Sequence, residues 1–226
     1  MKDFGSLKNI HKDKDIYVVS GGPSLNHIDK SFFDNKIVLG VNDIFRYFEC
    51  DYVVVKDCNE EPRFTRLVEE LKEKDIPLIY SQYYKGYEDK GVNNCNNPNS
   101  YMFTHNPRKK DFDMELMELD IDEEIIVSRS TVTTAVHIAY YMGAKNIILC
   151  GHDGGEIDGK MYYHEYVEKD WTSASNWDGI KGFLNNMERE TIALKQLLNF
   201  HEVNICSLNP FINLRLEGTK FETYKI

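Results

Sequence analysis

A run of strand formers, Asp15-Ile16-Tyr17-Val18-Val19, breaks at Ser20 into Gly21-Gly22-Pro23-Ser24. Glycines let a backbone approach a ligand without a Cβ in the way, proline suits the first helical position, and the N–H groups of a helix start attract an anion. The same residues also make an ordinary strand-to-helix turn. They match neither the dinucleotide nor the phosphate-loop fingerprint, so they name no nucleotide. A second polar cluster, Gly151-His152-Asp153-Gly154-Gly155, follows the apolar run Asn146–Cys150. An aspartate there could hold a ribose, a sugar hydroxyl or a metal, or only cap a turn. A third, Met161-Tyr162-Tyr163-His164-Glu165-Tyr166, offers phenols that can donate to a leaving phosphate and an imidazole that can take a proton near neutral pH. Packing of a loop is the plain alternative for each of them. His137 falls inside an apolar helical pattern and reads as structural. His105, His152 and His201 have no ligand spacing among themselves, so no histidine metal site is expected.

The elements that must position these residues alternate along the chain. Strands are expected at 15–20, 36–41, 51–56, 76–81, 124–128, 146–151 and 203–208, several of them continuous apolar runs of the kind covered on both faces. Helical spacing of Phe64, Leu67, Val68 and Leu71 predicts a helix over 63–74. A second helix is expected over 130–143, between an N-cap hydroxyl and Gly143, and a third over 184–200, with Leu184, Met187, Thr191, Leu194 and Leu198 in one stripe. The pattern predicts an α/β fold: one doubly wound, mostly parallel Rossmann-like sheet with helices on both faces and a lid, the whole chain 1–226 forming a single domain. Two segments break the alternation. Residues 82–110, rich in Asn and Tyr, read as an insertion or long loop, and residues 153–182, with Trp171 and Trp177, as a lid.

Ligands bind outside the carboxyl ends of such strands, and nearly every expected end here carries small or hydrogen-bonding residues. These are Ser20 to Ser24, Asn42-Asp43, Lys56-Asp57, Ser128-Arg129-Ser130, Gly151-His152-Asp153 and Asn209-Pro210. A polar ligand is therefore expected. The 226 residues carry a net charge of -10, which argues against a grip on a nucleic-acid backbone, since that affinity comes from clustered lysines and arginines. No apolar run is long enough to span a bilayer, and the charged N-terminus has no signal-like apolar stretch, so the cytoplasm is the expected compartment. Five cysteines without paired spacing read as reduced thiols.

Taken in order, "VVSGGPSL", "GVNDIFRYF", "SRSTVTTAVHIAYYMGAKNIILCGHD" and "TIALKQLL…VNICSLNP" resemble the bacterial sialyltransferases that finish lipooligosaccharide chains with CMP-activated sialic acid. They equally resemble the broader MptE-like group, related to 6-hydroxymethylpterin pyrophosphokinase, which includes cell-surface glycosyltransferases. The resemblance implies a Rossmann-like nucleotide-binding transferase. It implies that Gly21, Gly22 and Ser24 surround the donor phosphate, Asn42 the nucleotide or sugar, and Ser128 and Ser130 the donor again, that Asp153 closes the pocket, and that Tyr162 or Tyr163 stabilises the departing phosphate without a metal. Ser20, Asp57 and Gly151, at the same strand ends, are expected with them at the donor nucleotide, and Tyr162, Tyr163, His164 and Asp153 are the expected catalytic residues. Two departures stand out. Asn185 occupies the place of the family's general-base histidine, which leaves His164 as the substitute base. Asp57 stands where those sialyltransferases have asparagine, closer to the MptE-like group.

The expected function is a glycosyltransferase without cofactor, taking a nucleotide-activated sugar, foremost a CMP-linked acidic sugar, and a glycan or other hydroxyl acceptor. The alternatives are an Mg-dependent pyrophosphokinase of the MptE-like type, with Asp57 and Asp153 holding Mg²⁺, and a non-catalytic nucleotide-binding module.

Overall fold

The computed structural model describes residues 1–56, 63–81, 95, 97–106, 124–126, 130–168, 177–208 and 222–223. Among the described residues, nine strands form a parallel sheet: β1 Asp15–Val19, β2 Ile37–Val41, β3 Tyr52–Val55, β4 Leu78–Ser81, β5 Ser100–Asn106, β6 Glu124–Ile126, β7 Asn146–Cys150, β8 Asn204–Ser207 and β9 Glu222–Thr223. Their order is β6-β5-β4-β3-β2-β1-β7-β8-β9. The α-helices are α1 Arg63–Glu73, α2 Thr131–Tyr141, α3 His164–Val167 and α4 Trp177–Phe200. The chain winds outward from β1 to β6, then returns to the other side of β1 as β7. That reversal is where a crevice opens beyond the carboxyl ends of an α/β sheet. Val19 stands opposite Cys150 in the register, which sets Ser20 and Gly151 side by side.

The central strands are nearly continuous apolar runs because alternate side chains enter different cores. In β1, Ile16 and Val18 pack with α2 and with Leu194 and Leu198 of α4, while Tyr17 and Val19 pack with Leu25, Phe33, Phe48 and Tyr163. In β3, Val54 joins the first of these cores, and Val53 and Val55 meet Phe64, Leu67, Val68 and Leu71 of α1. The sheet is thus covered on both faces, as the continuous apolar runs predict. Helix α2 is buried almost all round. Its ends are those read from sequence: the Ser130 hydroxyl accepts from Val132 N–H at 3.2 Å, and Gly143 has φ +89°.

Three elements differ from expectation. Segment 82–110 contains β5, paired in parallel with β4 and β6. Its Tyr101 and Phe103 are buried in alternation, a signal hidden by flanking asparagines and by the lack of aliphatics. Helix α4 begins at Trp177, so residues 177–182 of the expected lid are helical. Gly179 and Gly182 made that stretch read as irregular, because glycine costs about 1 kcal/mol in a helix interior. After Gly22 there is a single 3₁₀ turn, Pro23–His27, in place of a full helix.

Candidate active site at the junction of β1 and β7

The loops leaving β1 and β7 are fastened to each other. Gly22 N–H donates to Gly151 O at 2.8 Å, the Ser20 hydroxyl donates to the same oxygen at 2.6 Å, and Ser20 N–H reaches Cys150 O at 2.9 Å. Asp153, 3% exposed, accepts Ser24 N–H at 2.7 Å on Oδ2 and the Ser24 hydroxyl at 2.5 Å on Oδ1. The start of the 3₁₀ turn thus already holds an anion, the protein's own carboxylate. Gly22 is required by packing: a Cβ there would run into the Gly151 carbonyl and stand 2.5 Å from Asp153 Oδ2. Gly151 has φ +68°, and a Cβ on it would meet the Ser20 carbonyl and, at 2.9 Å, Leu25. Gly21 alone of this trio faces open space, with nothing within 4 Å of a built Cβ. The two glycines, equivalent in sequence, therefore have separate tasks.

The segment expected as a lid is docked on this junction. Tyr163 N–H donates to Gly21 O at 2.8 Å, and the Tyr163 ring is buried against Tyr47 and Phe48, with centroids at 5.5 and 5.0 Å. The Tyr47 hydroxyl hydrogen-bonds Glu168, and Tyr166 donates to Ile157 O at 2.9 Å. Tyr163 is thus a packing anchor. Tyr162 is 37% exposed, and its ring stacks on His164 at 5.2 Å and 12°. Burial, then the charge of Glu165, raises the Tyr162 phenol above its ordinary pKa, so it stays a proton donor at neutral pH. Of the residues read from "MYYHEY", Tyr162 is exposed, and His164, stacked on it, is half-buried.

Other expected site residues are placed as follows. Asn42 follows β2 with φ +56°, a left-handed conformation uncommon for a side chain other than glycine. Ser130, 4% exposed, caps α2 with its hydroxyl and accepts the Thr133 hydroxyl on its carbonyl at 2.7 Å. Asp57 and Ser128, and the side chain of Asn185, lie outside the described residues. His152, which showed no pattern in sequence, is buried between Gly151 and Asp153. The Thr191 hydroxyl gives its hydrogen to Met187 O at 2.7 Å and so accepts, at 2.9 Å, from Nε2 of His152. Burial lowers the His152 pKa to about 4, which keeps the ring neutral. Lys56, at the end of β3, is 6% exposed. Sequence alone showed only that a lysine ends that strand.

The family model for 6-hydroxymethylpterin diphosphokinase MptE-like proteins matches residues 1–159, which carry β1 to β7 and both halves of this junction. The chain belongs to the MptE-like family. No curated protein matches it in sequence. The fold of this MptE-like chain is similar to solved structures at low identity. One is the sialyltransferase CstII from Campylobacter jejuni in complex with the substrate analogue CMP-3FNeuAc, at 18% identity and TM-score 0.54, covering 94% of this chain and 86% of CstII. CstII with cytidine-5'-monophosphate gives 16% identity, TM-score 0.55 and the same coverage. The MAf glycosyltransferase from Magnetospirillum magneticum AMB-1 gives 14% identity and TM-score 0.52 over 90% of this chain, which spans 35% of MAf.

Among the described residues of this MptE-like protein, no helix is long and apolar enough to cross a membrane, and no three His, Cys, Asp or Glu residues gather as a metal site. Each oxygen of Asp153 accepts from Ser24 in a buried setting.

Proposed function

We propose that the chain is a glycosyltransferase that takes a nucleotide-activated sugar, foremost a CMP-linked acidic sugar, and passes the sugar to a glycan or other hydroxyl acceptor. The observation that carries the proposal is the bond from Tyr163 N–H to Gly21 O, which holds the stacked Tyr162–His164 pair beside the open glycine at the sheet's reversal point. CstII, similar in fold, has been captured with CMP and with CMP-3FNeuAc.

In the proposed reaction the acceptor oxygen attacks the anomeric carbon, the bond from that carbon to the phosphate oxygen breaks, and the nucleotide leaves with the bonding electrons. Gly21 lets the backbone approach the phosphate. Tyr162, kept protonated, donates a hydrogen bond to the leaving phosphate. His164 takes the acceptor's proton. Asn42, Ser20, Asp57 and Ser128 border the donor. Gly22, Ser24, Gly151, Ser130 and Asp153 act through the shape of the loops, and Tyr163 anchors the lid. The step needs no metal in this reading. The test is a panel of CMP-, UDP- and GDP-sugars with EDTA present. Release of CMP from a CMP-sugar is expected, and neither binding nor hydrolysis of any donor would refute the proposal. Binding without turnover over many acceptors would favour a non-catalytic module.

The family match favours a second reading, pyrophosphoryl transfer from ATP to a small alcohol. It predicts thermal stabilisation by ATP that EDTA abolishes, where the first reading predicts metal-independent stabilisation by CMP.

A further inference from the structure

At the amino ends of the strands, opposite the junction, lies a cavity of about 340 Å³ lined by Lys8, Asn9, Lys12, Asp13, Tyr140, Lys145, His201 and Glu202, among others. Its volume is in the range of small-ligand sites, about 300–1,000 Å³. Three separate segments build it: the N-terminal residues 8–13, the turn from α2 into β7, and the turn from α4 into β8.

The backbone around the cavity is rigidly tied. Asn9, His11 and Asp13 N–H donate to the carbonyls of Tyr141, Met142 and Gly143 at 3.0, 2.9 and 2.9 Å. Lys145 N–H reaches Lys14 O at 2.8 Å, and Asn204 N–H reaches Lys145 O at 3.2 Å. The carbonyls of Ile138, Ala139 and Tyr140 are taken by the N–H groups of Met142, Ala144 and Gly143. The last carbonyls of α2 therefore need no lysine to cap them. Among the described residues, the ammonium groups of Lys12 and Lys145 make no hydrogen bond or ion pair. In a chain of net charge -10, lysines gathered from segments more than 130 residues apart in a concave site point to a bound anion.

The rest of the lining narrows the ligand class. Asp13, Glu202 and Asn9 offer acceptors suited to hydroxyl groups. Tyr140 and His201, edge to face at 5.8 Å, form an aromatic wall that suits a sugar ring. Two carboxylates in the lining disfavour a polyanionic surface such as a membrane or a nucleic acid. We propose that this cavity is a second ligand site, distinct from the transferase site, for a small sugar carrying a phosphate or carboxylate, with Lys12 and Lys145 binding the anionic group.

The test is a titration of the full ¹⁵N-labelled chain, followed by amide shifts, with glucose 6-phosphate, glucuronate, inorganic phosphate and neutral glucose as probes. Saturable shifts at residues 8–14, 140–145 and 201–203 are expected with glucose 6-phosphate or glucuronate, with weaker ones for phosphate and none for glucose. In the double variant Lys12→Ala, Lys145→Ala, unfolding at the wild-type temperature would show an intact fold, and affinity should drop by about a hundredfold, about tenfold for each lost charged contact. Absence of shifts, shifts confined to residues 20–24, or unchanged affinity in the double variant would overturn the proposal. So would binding to anionic vesicles that outcompetes the sugars. None of these readouts depends on glycosyl transfer.

Discussion

Gly22 lies with its Cα against the Gly151 carbonyl and the Asp153 carboxylate, while Gly21, one residue earlier, faces open space beside the tyrosine-rich segment 162–166. The difference separates two parts of one short loop. The inner part, Gly22 to Ser24 with Gly151 to Asp153, is a closed network that shapes the junction of β1 and β7. The outer part, Gly21 with Tyr162 and His164, is where the proposed reaction puts the donor. A sequence motif rich in glycine can therefore hold a closed half and an open half in adjacent residues.

Substitutions that fill the inner part should have the largest effect. Gly22→Ala forces a Cβ into backbone that cannot part without breaking the Gly22–Gly151 bond, and should destabilise by about 3 kcal/mol, read by urea unfolding. Gly21→Ala should leave stability within about 0.5 kcal/mol, and equal losses for the two variants would erase the distinction. The inner part should also respond to pH through His152. Its folded pKa, about 4, is depressed below the ordinary 6.5, so the unfolded chain binds the extra proton first. Stability that is present above about pH 6.5 should therefore be lost as the pH falls toward 4, by about 3 kcal/mol in all. Thermal unfolding across that window should show a flatter profile in His152→Asn than in the wild type, and parallel profiles would argue against a neutral buried ring.

Asp153→Asn keeps the shape but weakens two bonds to Ser24, and should cost about 2 kcal/mol, again read in urea. The smallest effect on stability is expected in the outer part. Tyr162→Phe should shift stability by less than about 0.5 kcal/mol. If the proposed reaction is correct, the same change should lower kcat by about a hundredfold, the typical loss for one aimed hydrogen-bond donor. A Tyr162→Phe enzyme with full turnover would remove the phenol from the mechanism and leave the comparison resting on Gly21 alone.

Much of the architecture was legible from side-chain periodicity. All seven expected strands are present within two residues at each end, because a strand buried on both faces must be apolar throughout, and such runs are conspicuous. The bounds of α2 were legible for a local reason, since Ser130 and Gly143 act within one turn of their own backbone. β5 was not, because Tyr101 and Phe103 alternate in only one short stretch, and the partners that make it a strand, β4 and β6, are distant in sequence. At the junction, the candidate residues were readable as types but not as roles. Ser24 and Asp153 are 129 residues apart, and nothing local to either shows that they bind each other.

The sequence alone determined which residues could do chemistry here and that they would stand at the carboxyl ends of a parallel sheet, because strand periodicity and turn chemistry are local properties. Only the tertiary structure decided which of them are tied to one another and which stay open. The β1 and β7 loops meet across the sheet's reversal point, and the contact made there closes Gly22 and Ser24 around Asp153, seats Tyr163 in the core, and leaves Gly21, Tyr162 and His164 at the edge.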